Sequence, residues 1–94
     1  MEQEFAARWL ERREKAAKIG ARMRPITREN ALRDAHRCLS GGRESDGFDF
    51  LADKGRLDLT LEALAVDRRF TGLFSDAEAN TALTRLLAAG YRFG

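Results

Sequence analysis

Phe48-Asp49-Phe50-Leu51-Ala52-Asp53-Lys54-Gly55-Arg56-Leu57-Asp58-Leu59-Thr60-Leu61-Glu62 is the stretch on which the fold turns, because it satisfies two periods at once. With period two, Phe48/Phe50 and Leu57/Leu59/Leu61 alternate with polar residues around Asp53-Lys54-Gly55, a suitable three-residue turn with glycine in the left-handed position. With period 3.6, Asp46 caps a short helix that Gly55 stops, and Asp58 caps another in which Leu61, Leu64, Ala65 and Phe70 share a side. An isolated two-stranded hairpin is only marginally stable unless it packs on helices. The helical reading is favoured; an α+β fold with a small hairpin at about 48–62 is the alternative.

Outward from this stretch the pattern is helical. From Glu2 to about Arg24, Phe5, Trp9, Ala16, Ile19 and Met23 recur at helical separations, with Glu4→Arg8, Glu11→Lys15 and Glu14→Lys18 at i,i+4 on the outer face. Gly20 weakens this helix, and Pro25 forces Arg24 out of helical dihedrals and ends it. Thr27 is placed to cap a second helix carrying Ala31, Leu32, Ala35 and Leu39 on one side, stopped by Ser40-Gly41-Gly42. A short connection predicts that these two helices pack as antiparallel neighbours. Residues 41–47 read as a loop. Ser75-Asp76-Ala77-Glu78 fits a capping box and opens a last helix, with Ala79, Leu83, Leu86, Leu87 and Gly90 on one face. Gly90 stands where a left-handed stop belongs, with Tyr91 folding back on Leu86 and Phe93 extending the same apolar edge.

The expected fold is therefore mainly α, a compact bundle of four or five helices. The 94 residues (10.6 kDa) form one domain, residues 1–94, because two cores would each be too small to be stable. With 44% hydrophobic and 34% charged residues and one proline, the composition is that of a globular chain. The amino terminus is acidic, no apolar run resembles an export signal or membrane span, and the single Cys38 rules out an internal disulfide, so a cytoplasmic location is expected.

Reactive side chains do not converge. His36 and Cys38 are two apart in a helix and point away from each other, so they do not chelate one ion. The acids Glu44, Asp46, Asp49 and Asp53 lack calcium-loop spacing, since the twelfth position from Asp46 is Leu57. A lone histidine, hydroxyls placed mostly at caps or beside glycine, and no phosphate-cradling glycine loop argue against an enzyme. No catalytic, metal or cofactor residue is expected.

Charge and aromatic content point instead to binding. Residues 1–43 carry eleven basic and six acidic side chains, whereas residues 44–94 carry six and nine, so the chain is dipolar. The expected function is a small non-catalytic interaction or regulatory module, of adaptor or inhibitor type, that binds another macromolecule through a helical surface. A protein partner or a second copy is expected, with no membrane and no small-molecule substrate. Eight aromatics exceed what a small core must bury, and Trp9 is a candidate anchor. A first helix of twenty-odd residues would overhang a body of about 26 Å and invite a homodimer. The alternative is a nucleic-acid-binding regulator using the basic half, where Arg8, Arg12, Lys15, Arg22, Arg24 and Arg28 supply the cations. A helix-turn-helix over Leu59–Arg69 and Ser75–Ala89, followed by a strand from Gly90, is disfavoured by its acidic recognition turn and long connection.

Overall fold

The computed structural model describes residues 1–91. It contains five α-helices: α1 (Glu2–Lys18), α2 (Ala31–Ser40), α3 (Phe48–Asp53), α4 (Leu61–Ala65) and α5 (Asp76–Ala88), with 3₁₀ turns at Leu57–Leu59 and Arg68–Leu73. No strand occurs among the described residues. The chain is mainly α, and the 48–62 stretch adopts its helical alternative.

Neither expected aspartate cap forms, for an electrostatic reason. Arginines draw both carboxylates away: Asp46 accepts from the Arg24 backbone N–H and Nε, each at 3.1 Å, and Asp58 accepts from Arg56 Nε at 3.1 Å. Gly47 occupies the N-cap of α3 without a side-chain bond. Thr60 caps α4 instead: its Oγ1 accepts from the Ala63 N–H at 3.1 Å and donates to the Leu57 carbonyl at 2.7 Å, so this buried hydroxyl is fully used. Thr27 likewise acts one turn early, accepting from the Asn30 N–H at 3.2 Å, and Asn30 is the N-cap of α2. The capping box Ser75/Glu78 forms as expected.

Helix α1 stops at Lys18 rather than near Arg24. Gly20 adopts φ +111°, and the N–H groups of Ala21 and Gly20 donate to the carbonyls of Ala16 (3.0 Å) and Ala17 (3.1 Å). This is a Schellman stop, sealed by Ala21 packing beside Ala16. Glycine therefore ends the helix several residues before Pro25 has any say. The same device ends α5, where the N–H of Tyr91 donates to the Leu86 carbonyl at 2.9 Å, as the sequence predicts.

Two glycine substitutions separate backbone strain from crowding. A Cβ at Gly20 lies 3.1 Å from the Phe50 ring, whereas at Gly90 (φ +86°) nothing lies within 4 Å. Both Gly20→Ala and Gly90→Ala should destabilise through positive φ, by about 1 kcal/mol. Gly20→Ala should cost measurably more because Phe50 must move. Equal urea midpoints for the two variants would contradict this reading.

The early end of α1 leaves residues 19–30 as a long irregular connection, not the short turn expected. It also removes the overhang on which a first-helix dimer was expected. Seventeen residues span about 26 Å, no more than the 29 × 26 × 25 Å body.

Helix α4 lies at the centre, with all five of its residues buried. Leu61, Leu64 and Ala65 join the main core, formed with Phe5 and Trp9 of α1, Ala31, Ala35 and Leu39 of α2, Ala82 of α5, and Phe70 and Phe74. Ala63 faces a second cluster with Phe48, Leu57 and Leu86. A third cluster, holding Ala16, Ala21, Leu51 and Leu59, closes the far end of α1.

Helix α5 does not bury the face expected of it. Ala82 and Leu86 are buried, but Leu83 and Leu87 are 36% and 56% exposed. Arg85 takes the inner position, for a reason that lies outside the helix. Phe93, expected to extend the apolar edge, and the strand expected from Gly90 onward fall on or run into residues 92–94, which lie outside the described residues. No helix among the described residues is long and apolar enough to cross a membrane.

Candidate functional site

A cleft of about 250 Å³ lies between α1, the 24–26 segment, α2 and loop 41–47. Each wall follows from a local feature. The Schellman stop turns the chain so that Arg24-Pro25-Ile26 passes beside α1. Helix periodicity places Asp34, Arg37 and Cys38 on one side of α2, and Glu44-Ser45-Asp46 line the opposite side, just before the left-handed turn at Gly47 (φ +78°). Trp9 and Arg13, four apart on α1, complete the lining.

The cleft has apolar surface from Trp9, Pro25 and Ile26, three guanidinium groups (Arg13, Arg24, Arg37) and three carboxyl groups (Asp34, Glu44, Asp46). Arg13 lies 5.6 Å from the Trp9 ring and donates from Nη2 to the Arg24 carbonyl. Burial pulls its pKa below the ordinary value against the opposing pull of Asp46 and Asp34. It remains a cation nonetheless. Burial alone would raise the Asp46 pKa, but hydrogen bonds from the Arg24 backbone and side chain, with the charges of Arg24 and Arg13, hold it below its ordinary value. The Arg24 pKa is raised mainly by its hydrogen bond to Asp46.

Behind loop 41–47 sits a buried ion pair. Glu62 is 0% exposed, and one of its oxygens accepts from Arg85 Nη1 at 3.1 Å. The same carboxylate accepts from the Ser45 N–H at 2.9 Å and the Ser45 hydroxyl at 2.5 Å. Arg85 also donates to the carbonyls of Cys38 (3.3 Å) and Gly41 (2.9 Å), neutralising the carbonyl end of α2. This explains why Arg85 faces inward and why Leu83 and Leu87 do not. The Cys38 thiol is pushed up by burial and by Glu62, with Arg85 opposing, so it stays protonated near neutrality.

The candidate residues Arg8, Trp9, Arg12, Lys15, Arg22, Arg24 and Arg28 do not form one surface. Only Trp9 and Arg24 meet, in the cleft. Trp9 is 5% exposed and packs on Phe5, so it is a core residue with one edge in the cleft and no freestanding anchor. Arg12 donates to the Asp58 carbonyl at 2.7 Å, fastening α1 to the Leu57–Leu59 turn. Lys15 pairs with Glu11 at 3.5 Å, while Arg8, Arg22 and Arg28 are exposed. Arg13, Asp34 and Glu44 in the cleft, and Glu62 and Arg85 behind it, lie outside that candidate set. Arg13 and Asp34 look like any solvated helix face in sequence, Glu44 is one of several acids in and after a glycine-containing loop, and the Glu62–Arg85 pairing spans elements.

His36 and Cys38 diverge as expected: His36 Nδ1 lies 2.6 Å from Glu78 at the start of α5, whereas Cys38 faces Arg85. Burial tends to raise the Glu78 pKa, but the Ser75 N–H and His36 outweigh it and hold the carboxyl below its ordinary value. A second hollow of about 250 Å³ lies between the ends of α3 and α5; its one charged lining residue, Asp58, is paired with Arg56. The first cleft is therefore the better candidate.

Comparison with protein-family models, with curated proteins and with solved structures gives no match.

Proposed function

We propose that this chain is a small interaction module, of adaptor or inhibitor type, that takes a segment of a partner protein into the cleft between α1, α2 and loop 41–47. The observation that supports it is the lining: three arginines and three carboxyl groups around an apolar strip that includes the edge of the only tryptophan. Arginine forks and carboxylates recognise polar backbone and side chains by paired hydrogen bonds, and the Trp9 edge, Pro25 and Ile26 give a partner's apolar side chain a surface to pack on. The nucleic-acid reading draws on the cations of the basic amino-terminal half. Of the cations it needs, only Arg24 lines the cleft, and Arg12, Lys15 and Arg24 already have intramolecular acceptors, which leaves fewer for phosphate.

Site-specific photo-cross-linking tests the proposal. A photoreactive residue at position 37 or 44 should give partner adducts, and one at exposed position 53 should not. Equal adducts from all three positions would remove the cleft from consideration. Binding to DNA or RNA at about 50 mM salt that falls steeply as salt rises would favour the nucleic-acid reading instead.

A further inference from the structure

We infer that Arg13 gives the cleft its selectivity by taking a carboxylate of the partner segment, so that this segment is an acidic peptide with an apolar side chain beside the acid. This rests on the cleft being the functional site.

The three lining cations are not equivalent. Arg24 is committed, since Asp46 accepts from its backbone N–H and from its Nε, each at 3.1 Å. Arg37 is exposed, so water and salt weaken any pair that it makes. Arg13 is half-buried, and its hydrogen-bond acceptor among the described residues is the Arg24 carbonyl. A guanidinium carries five N–H donors in a planar fork, so most of this one stays without a protein acceptor. Asp46 and Asp34 act on Arg13 only through their charge, and burial outweighs them. An incoming carboxylate therefore gains most at Arg13, where a bidentate charge-assisted pair forms partly out of water.

The rest of the lining selects among anions. Asp34, Glu44 and Asp46 surround the same space, so a chain of phosphates meets repulsion that a single carboxylate largely escapes. The carboxyl groups of Asp34 and Glu44 accept no hydrogen bond from another described residue, which leaves them open to the N–H groups of a partner backbone. Beside Arg13, the edge of Trp9 with Pro25 and Ile26 gives the apolar neighbour of the acid its surface.

Selection of random dodecapeptides on the wild-type domain reads this preference without a known partner. The enriched peptides should share an aspartate or glutamate next to an apolar residue. The leading peptide and its amide form (Glu→Gln or Asp→Asn) are then titrated, by fluorescence anisotropy of the labelled peptide, against wild type, Arg13→Gln and Arg37→Gln. Neutralising the peptide acid should weaken binding to wild type about tenfold. Arg13→Gln should bind both forms alike, whereas Arg37→Gln should keep most of the difference. Far-UV circular dichroism checks that each variant is folded. Where Arg13→Gln is not, Arg13→Lys replaces it: charge and stem stay, the fork goes, and the difference between the peptides should shrink.

Neutral or basic enriched peptides, or no enrichment, overturn the inference. So does a difference that persists in the Arg13 variant or vanishes in Arg37→Gln. A dimer, seen by sedimentation, that the Arg13 variant dissolves gives the cleft to a second copy and overturns it as well. Adducts from positions 37 and 44 together with neutral or basic peptides sink this inference and leave the proposed function standing. Equal adducts from all three positions sink the proposed function, whatever the peptides carry.

Discussion

Arg85→Met should lower stability by about 3–5 kcal/mol, because it leaves the Glu62 carboxylate charged, unexposed and without its cation. The side chain itself is only 10% exposed, so solvent offers little relief. The loss goes beyond the pair, since the carbonyls of Cys38 and Gly41 lose their donor as well. The double variant Glu62→Met/Arg85→Met should recover part of this, since an apolar pair of similar size carries no desolvation penalty. Chemical denaturation of the three proteins decides the matter. A single variant that costs less than about 1 kcal/mol would mean that water reaches Glu62 and that the pair is not buried in solution.

Phe5→Ala should be comparably damaging, at about 3–5 kcal/mol. Phe5 is 0% exposed, and its ring centroid lies 5.8 Å from Trp9, 5.5 Å from Phe70 and 5.3 Å from Phe74. Truncation opens a hole at the junction of α1 with the Arg68–Leu73 turn, and the tilted and edge-to-face ring pairs are lost together. Leu87→Ala, at a site 56% exposed, should stay within about 0.5 kcal/mol of wild type and serves as the control. For a domain of total stability about 5–15 kcal/mol, the Phe5 variant should show a large drop in melting temperature. Similar melting temperatures for the two variants would place Phe5 outside the core.

What was legible in the sequence was local. The capping box at Ser75 and the glycine stop at Gly90 depend on residues three to five apart, and both form as read. The inner faces of α1 and α2 follow in large part from helical spacing: Phe5, Trp9, Ala16, Ala31, Ala35 and Leu39 are buried and Leu32 is half-buried, whereas Ile19 is exposed and Met23 lies beyond the end of α1. Proline is the more obvious breaker in the sequence, so the expected end of α1 lies too late. A glycine that closes two backbone hydrogen bonds acts first. Asp46 and Asp58 stand at cap positions in the sequence, but each carboxylate binds a nearby arginine instead of a helix N-terminus. Apolar spacing along α5 points Leu83 and Leu87 inward with Leu86, yet both are exposed. Nothing in the order of residues announces that Arg85 seeks a carboxylate twenty-three positions earlier. The cleft was hidden for the same reason: it exists only where four separate segments meet.

The placement of α4 has a consequence for how this chain can be divided. Its five sealed residues come from past the midpoint of the polypeptide, yet they carry the cores contributed by both ends. Neither amino- nor carboxy-terminal half could shield its own oily interior if cut apart. Reassembly of two fragments, were it to occur, would require that little hub as the keystone about which the flanking pieces gather.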